Sequence, residues 1–293
     1  MAATSPPRRV DDDVEGVLVR ADWLAAHAKD PAVRIVEVDV GASAYDAGHI
    51  DGAVLWNVYT DLKDGDYRLV DRTTLERLLS RSGIGPESTV VFYGYAPALG
   101  FWLMKLYGHR DVRIVDCSRD ALRELGVPWT TSPVAPDTTL YKLGDEDGTI
   151  RATRDRVLAA IGSSAATLVD VRTEAEFRGE RFWPSGGLEP EGRAGHVPSA
   201  VHQPIDGLYE DDGSFRTVQD LRAQLAGIDL DGDDDVITYC TIGGRAATAW
   251  FVLTHLLGRT RVRVYDGSWA EWGRMPDTPV VASELRGCSD AVR

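Results

Sequence analysis

Short β-branched runs alternate along the chain with stretches of helical period. In the first half these runs are Arg34-Ile35-Val36-Glu37-Val38, Val90-Val91-Phe92-Tyr93 and Arg113-Ile114-Val115. In the second half they are Thr167-Leu168-Val169-Asp170-Val171, Val236-Ile237-Thr238-Tyr239 and Arg261-Val262-Arg263-Val264-Tyr265. Runs of this length and residue type read as buried parallel strands. The spacing predicts helices over 20–28, 73–82, 99–107, 157–161, 218–226 and 245–257. Strands alternating with helices imply parallel pairing through crossovers. The expected fold class is α/β, with parallel sheets flanked by helices.

The pattern also repeats. Gly48-His49-Ile50-Asp51-Gly52-Ala53-Val54 returns 147 residues later as Gly195-His196-Val197-Pro198-Ser199-Ala200-Val201. Val90–Tyr93 returns 146 residues later, and Val115-Asp116-Cys117-Ser118 returns 150 residues later as Tyr265-Asp266-Gly267-Ser268. Three landmarks in one order at nearly one spacing point to two copies of one unit. The 293-residue length suits two domains. They are expected at 16–125 and 152–280. Between them, 126–151 is rich in Pro, Thr, Ser and Asp, has no long apolar period and reads as a linker. Residues 1–15 and 281–293 read as tails, the first of them disordered. The stretch 180–193 is an insertion in the second copy, either functional or a tolerated surface loop.

Composition narrows the partners. The net charge is −14, so the long-range field repels nucleic acid and anionic membranes, and neither is an expected partner. No apolar run approaches the ~18 residues of a membrane span. The N-terminal stretch has no apolar core and does not read as a secretory signal. The three cysteines, Cys117, Cys240 and Cys288, are too few and too odd in number for a disulfide scaffold. A reducing compartment, the cytoplasm, is the expected location.

The candidate chemistry lies in Tyr239-Cys240-Thr241-Ile242-Gly243-Gly244-Arg245. A strand ends at Tyr239 and an apolar helix begins near Arg245. Cys240 therefore falls at the carboxyl end of a parallel strand, where open α/β sheets place their small-molecule sites. Backbone N–H groups and the helix dipole favour an anion there, and the two glycines let several N–H groups converge. A lone cysteine is ordinarily a small buried hydrophobe, but in this setting the thiolate is favoured and becomes a nucleophile. Such a loop serves attack on phosphorus or on a sulfane sulfur. The phosphatase pattern places arginine at 246, where this chain has Ala246; the arginine comes one residue early, at Arg245. The tighter loop favours sulfur transfer over a cysteine phosphatase or arsenate reductase.

At these residues the chain resembles the tandem-domain rhodanese family, of the thiosulfate and 3-mercaptopyruvate sulfurtransferase type. The resemblance rests on Cys240–Arg245, on Tyr265-Asp266-Gly267-Ser268-Trp269-Ala270-Glu271-Trp272, on the two Gly-His segments and on Val169-Asp170-Val171-Arg172, and it spans about residues 17–280. It implies two rhodanese-like domains, each a parallel sheet flanked by helices, with only the second catalytic and the site near the domain interface. Gly94 stands where Cys240 stands in the second copy, and Pro97 removes an N–H from the matching loop, so the first copy is expected to be a structural partner closing one wall.

The resemblance also implies a persulfide on Cys240, held by the loop amides of Thr241, Ile242, Gly243, Gly244 and Arg245. Thiosulfate is the first-named donor, 3-mercaptopyruvate the alternative, and cyanide, a thiol or a sulfur-accepting protein the acceptor. No metal or cofactor is called for. The family's donor-binding arginine falls at Glu176 in this chain, which leaves Arg178, Arg181, Arg193 and Arg245 as candidates for the donor anion. Arg245 has a structural salt bridge as its alternative role. Trp183 is a candidate cover for the pocket, and His49 a candidate proton donor across the interface. Asp170, Arg172 and Trp269 are expected to support the active loop. Cys117 is expected to be inert.

Overall fold

The computed structural model describes residues 16–282, so the predicted 1–15 tail, nearly all of the 281–293 tail and Cys288 lie outside the described residues. Two five-stranded sheets, parallel throughout, form the frame. The first runs in spatial order Leu18–Val19, Val112–Val115, Thr89–Gly94, Val33–Asp39, Val54–Asn57. The second runs Arg151–Ala152, Val262–Tyr265, Asp235–Tyr239, Ala166–Asp170, Val201–His202. Each strand thus sits at the same place in its sheet as its repeat counterpart. The central strands are apolar on both faces because helices cover both; Val90, Val91 and Phe92, like Val236 and Ile237, are fully buried.

All six strands expected from the periodicity are present. The edge strands Leu18–Val19, Val54–Asn57, Arg151–Ala152 and Val201–His202 are too short to carry a period and are defined by pairing alone. Arg151–Ala152 opens the second sheet from within the stretch read as linker, and 131–150 carries no helix or strand. At the other end, Val281 forms an antiparallel bridge with His196. The predicted helices appear as Ala21–His27, Arg72–Arg81, Pro97–Leu106, Arg154–Ala160, Val218–Gln224 and Gly244–Phe251, the last continuing through a π turn at Val252–Leu256. No helix among the described residues is long and apolar enough to cross a membrane.

The repeated Gly-His turns share one construction. Nδ1–H of His49 donates to the Tyr45 carbonyl at 2.9 Å, and that of His196 to the Phe177 carbonyl at 2.8 Å. Each ring stacks on the aromatic it bonds to, at 3.7 Å between centroids.

One apolar cluster runs through both halves. Its seam is the pairing of helix Pro97–Leu106 with helix Gly244–Phe251, where Phe101 meets Phe251 edge to face at 5.0 Å. Each helix follows the central strand of its own sheet, so the carboxyl ends of the two sheets face one another. The loops leaving those strands touch: a Cβ on Gly244 would lie 3.4 Å from the Ala96 Cβ. A second tie is the hairpin closed by the Lys63–Leu69 bridge. Leu69 N–H donates to Asp266 Oδ2 at 3.1 Å, and Arg274 donates to the Gly65 carbonyl at 3.2 Å. A third is Phe215 N–H, which donates to Asp116 at 2.8 Å.

Candidate active site

A cavity of about 490 Å³ opens where the two carboxyl ends meet. The second half contributes Cys240, Thr241, Ile242, Gly244 and Arg245, together with Trp183, Pro184 and Ser185 from the insertion. The first half contributes Val40, Val58, Tyr59, Tyr67, Tyr95 and Ala96. Tyr95 and Ala96 belong to the loop that matches the cysteine loop in the repeat, so the copy lacking that cysteine forms the facing wall.

Cys240 is 1% exposed at the base of this cavity. The loop turns at Gly243, whose φ of +96° is the left-handed conformation that glycine adopts without strain. That turn aims the Gly243 N–H at Cys240 Sγ, 3.1 Å away. The loop carbonyls point the other way. Trp269 N–H takes the Cys240 carbonyl and Ala270 N–H the Thr241 carbonyl, both at 2.9 Å. Cys240 N–H donates to Ser268 Oγ at 3.1 Å. With the Cys240 and Thr241 carbonyls held by the Ser268–Trp272 helix, the loop presents the Gly243 N–H to the sulfur, and helix Gly244–Phe251 begins beside it, with the dipole of its first turn.

Arg245 lines the cavity but is engaged. Its Nη1 and Nη2 donate to the two Glu176 oxygens at 2.8 and 2.7 Å, and Nη2 also donates to Thr241 Oγ1 at 2.7 Å. Thr241 Oγ1–H donates to Glu176 Oε1 at 2.6 Å. Glu176 is fully buried and also closes a capping box with Thr173. Burial alone would push its carboxyl up. The Arg245 guanidinium, with the Thr241 and Thr173 hydroxyls, outweighs burial and holds it down at about 2. The salt bridge anticipated as the alternative role of Arg245 is thus present, and the arginine keeps 18% of its side chain exposed toward the cavity.

Asp170 and Arg172 form a fully buried bidentate pair, with Arg172 Nε at 2.9 Å and Nη2 at 2.6 Å from the carboxylate. The guanidinium lies 4.5 Å from the Trp269 ring centroid and donates to the Gly195 carbonyl at 2.6 Å. This packing locks the strand end beneath the loop. Trp183 lines the cavity, its Nε1–H on Glu189 at 3.0 Å and its ring 5.6 Å from Tyr67.

The structure does not bring the other candidates to the cavity. Arg178 is half exposed and pairs with Glu174, one helical turn back. Among the described residues Arg181 reaches only the Pro184 carbonyl, at 3.4 Å. Arg193 is spent on the Thr278, Met275 and Trp272 carbonyls, where it fastens the C-terminal turn. His49 is buried against Tyr45 in its own turn, away from Cys240. Each of these side chains has an acceptor or a ring close by in the fold. Cys117 is half-buried, and burial, with Asp116 and Asp212 nearby, pushes its thiol up to about 11.

Sequence reasoning missed Tyr59, Tyr67 and Lys63. Tyr59 and Tyr67 follow the first Gly-His segment in a polar stretch that carries no strong period. Lys63, between Leu62 and Asp64, reads as a surface residue yet is 4% exposed. The signal for Glu176 was its position, where the family's arginine was expected.

The rhodanese-like domain family matches residues 20–124 and 153–275, and the chain belongs to it, in its two-domain form. The chain is 40% identical over 270 residues to the protein named "Putative thiosulfate sulfurtransferase" of Mycolicibacterium smegmatis, covering 90% of this chain and 97% of that one. It is 38% identical over 277 residues to "Sulfur carrier protein TtuD" of Thermus thermophilus, covering 92% and 97%. Among solved structures, YnjE superposes with a TM-score of 0.76 at 24% identity, covering 91% of this chain and 68% of that one, a likeness of fold.

Proposed function

We propose that this sulfurtransferase moves the outer sulfur of thiosulfate to cyanide or a thiol through a persulfide on Cys240. The observation that carries the reading is the Gly243 N–H at 3.1 Å from a cysteine sulfur at the base of an open cavity. The thiolate attacks the outer sulfur of thiosulfate, the S–S bond of the donor breaks, and sulfite leaves with the bonding electron pair. Cys240 then carries a persulfide anion, which the loop N–H groups solvate. The acceptor's lone pair attacks the outer persulfide sulfur. Thiocyanate or an organic persulfide leaves, and the Cys240 thiolate returns. Atoms and electrons balance over the two steps, and the scheme is ping-pong.

Engagement of Arg245 by Glu176 argues against phosphoryl transfer, because the guanidinium that a phosphatase loop turns onto equatorial oxygens is held by a carboxylate. The size and lining of the cavity support a second reading, transfer to a larger thiol or to a protein thiolate. A space of about 490 Å³ ringed by Tyr59, Tyr67, Tyr95 and Trp183 exceeds what thiosulfate fills, and the relative named a sulfur carrier fits that use.

The test is intact mass spectrometry after exposure to thiosulfate or 3-mercaptopyruvate. The wild type gains about 32 Da, mapped to Cys240, and Cys240→Ser gains none. A Cys240→Ser protein that still turns over at the wild-type rate overturns the mechanism. Comparison of kcat/KM for the two donors decides between them.

A further inference from the structure

We infer that Lys63, carried by the half without a nucleophile, is a positioning residue that supplies the compensating positive charge beside the Cys240 loop. The inference rests on Cys240 being the reactive sulfur. Lys63 projects from the first-half hairpin across the interface, and its ammonium donates to the Asp266 carbonyl at 2.7 Å. A Cβ on Gly243 would lie 3.3 Å from Lys63 Nζ. The ammonium therefore rests against the backbone of the residue whose N–H points at the sulfur.

The charge balance of the site singles Lys63 out. Arg245, the cation in the cavity wall, is paired with the Glu176 carboxylate and also feels the Cys240 sulfur, near which Tyr59 and Tyr95 are further titratable groups. The Asp266 carboxylate is taken on both oxygens by Arg151, at 2.8 and 3.3 Å, and by the Leu69 N–H. Among the described residues no carboxylate forms an ion pair with Lys63, whose acceptor is a neutral carbonyl. Burial works against its charge. Asp266, the Cys240 sulfur and Asp64 work for it, and Arg151 works against it. A buried ammonium without a carboxylate is unfavourable, and so is a buried thiolate without a cation. With the ammonium against Gly243 and the sulfur on the Gly243 N–H, each relieves the other. The duplication then has a chemical consequence, since the first half contributes charge to a site whose nucleophile lies in the second.

The test is the pH dependence of Cys240 alkylation by iodoacetamide in the full-length chain, with modification mapped by mass spectrometry. This readout needs no sulfur donor, so it stands apart from the sulfur-transfer reading. A wild type that acquires no persulfide defeats that reading and leaves the Lys63 result to stand or fall alone. Lys63→Met and Lys63→Gln should slow Cys240 alkylation at neutral pH about tenfold, a difference that fades as pH is raised. Lys63→Arg should restore it to within about threefold. Gln retains a donor for the Asp266 carbonyl, so a lost hydrogen bond alone predicts no slowing in that variant. Should the uncharged variants fail to fold, the wild type carries the test. By linkage, capping Cys240 with iodoacetamide must lower the pH at which Lys63 titrates by NMR. Unchanged alkylation profiles in folded variants, or an unmoved Lys63 titration after capping, overturns the inference.

Discussion

Replacing Glu176 with glutamine keeps the side-chain shape and removes the charge that holds Arg245. In the native protein the carboxylate accepts from Arg245 twice, from Thr241 and from Thr173, and it is fully buried. The fall of its pKa from 4.5 to about 2 measures how much the fold prefers the ionised form. At about 1.4 kcal/mol for each tenfold change, that preference is worth about 3 kcal/mol. Because the folded value is depressed, the stabilisation is fully present above the unfolded value and is lost as pH falls from about 4.5 toward 2. Glu176→Gln should therefore unfold about 3 kcal/mol more easily at neutral pH, a drop of roughly 6–12 °C in Tm if the two halves, tied across their interface, melt as one unit of about 150–250 residues or more. The difference from wild type should shrink as pH is lowered through that window. Thermal melts of both proteins over an acid-to-neutral series measure it. A neutral-pH Tm within about 1 °C of wild type, or a gap that does not narrow in acid, would refute the assignment of the pair as a stabilising ion pair. The variant also frees the Arg245 guanidinium, and a lower KM for anionic donors is expected with it.

Two further substitutions probe the loop and its base. Gly243→Ala forces a Cβ to 3.0 Å from the Asp266 carbonyl at φ +96°, so alkylation of Cys240 should slow at least about tenfold as the N–H swings off the sulfur, while the far-ultraviolet spectrum is retained. Arg172→Met leaves the Asp170 carboxylate buried without its cation; denaturant unfolding should show a loss of about 3–5 kcal/mol.

Much of the frame was legible because its inner strands are covered on both faces. A strand such as Val90–Tyr93 must then be almost wholly apolar, and that run stands out in any reading of the chain. The edge strands left no such trace, and their two- to four-residue pairings follow from where the neighbouring strand lies. The cysteine loop was legible because its chemistry is local: strand end, turn glycine and helix start are consecutive in the chain. The donor arginine was not, because a guanidinium binds whichever acceptor the fold brings nearest. For Arg178 that is Glu174, for Arg193 the C-terminal carbonyls, and for Arg245 the carboxylate of Glu176, 69 residues away.

The sequence by itself determined the duplication, the α/β class and the single loop cysteine, since each is written in neighbouring residues or in the distance between repeats. Only the tertiary structure decided what surrounds that cysteine. It brought Tyr59, Tyr67 and Tyr95 across the interface to face Cys240, turned Arg245 onto Glu176, and set Lys63 against Gly243. These outcomes depend on how two sheets meet, and the energy of a buried charge or ring is set by partners that chain order does not reveal.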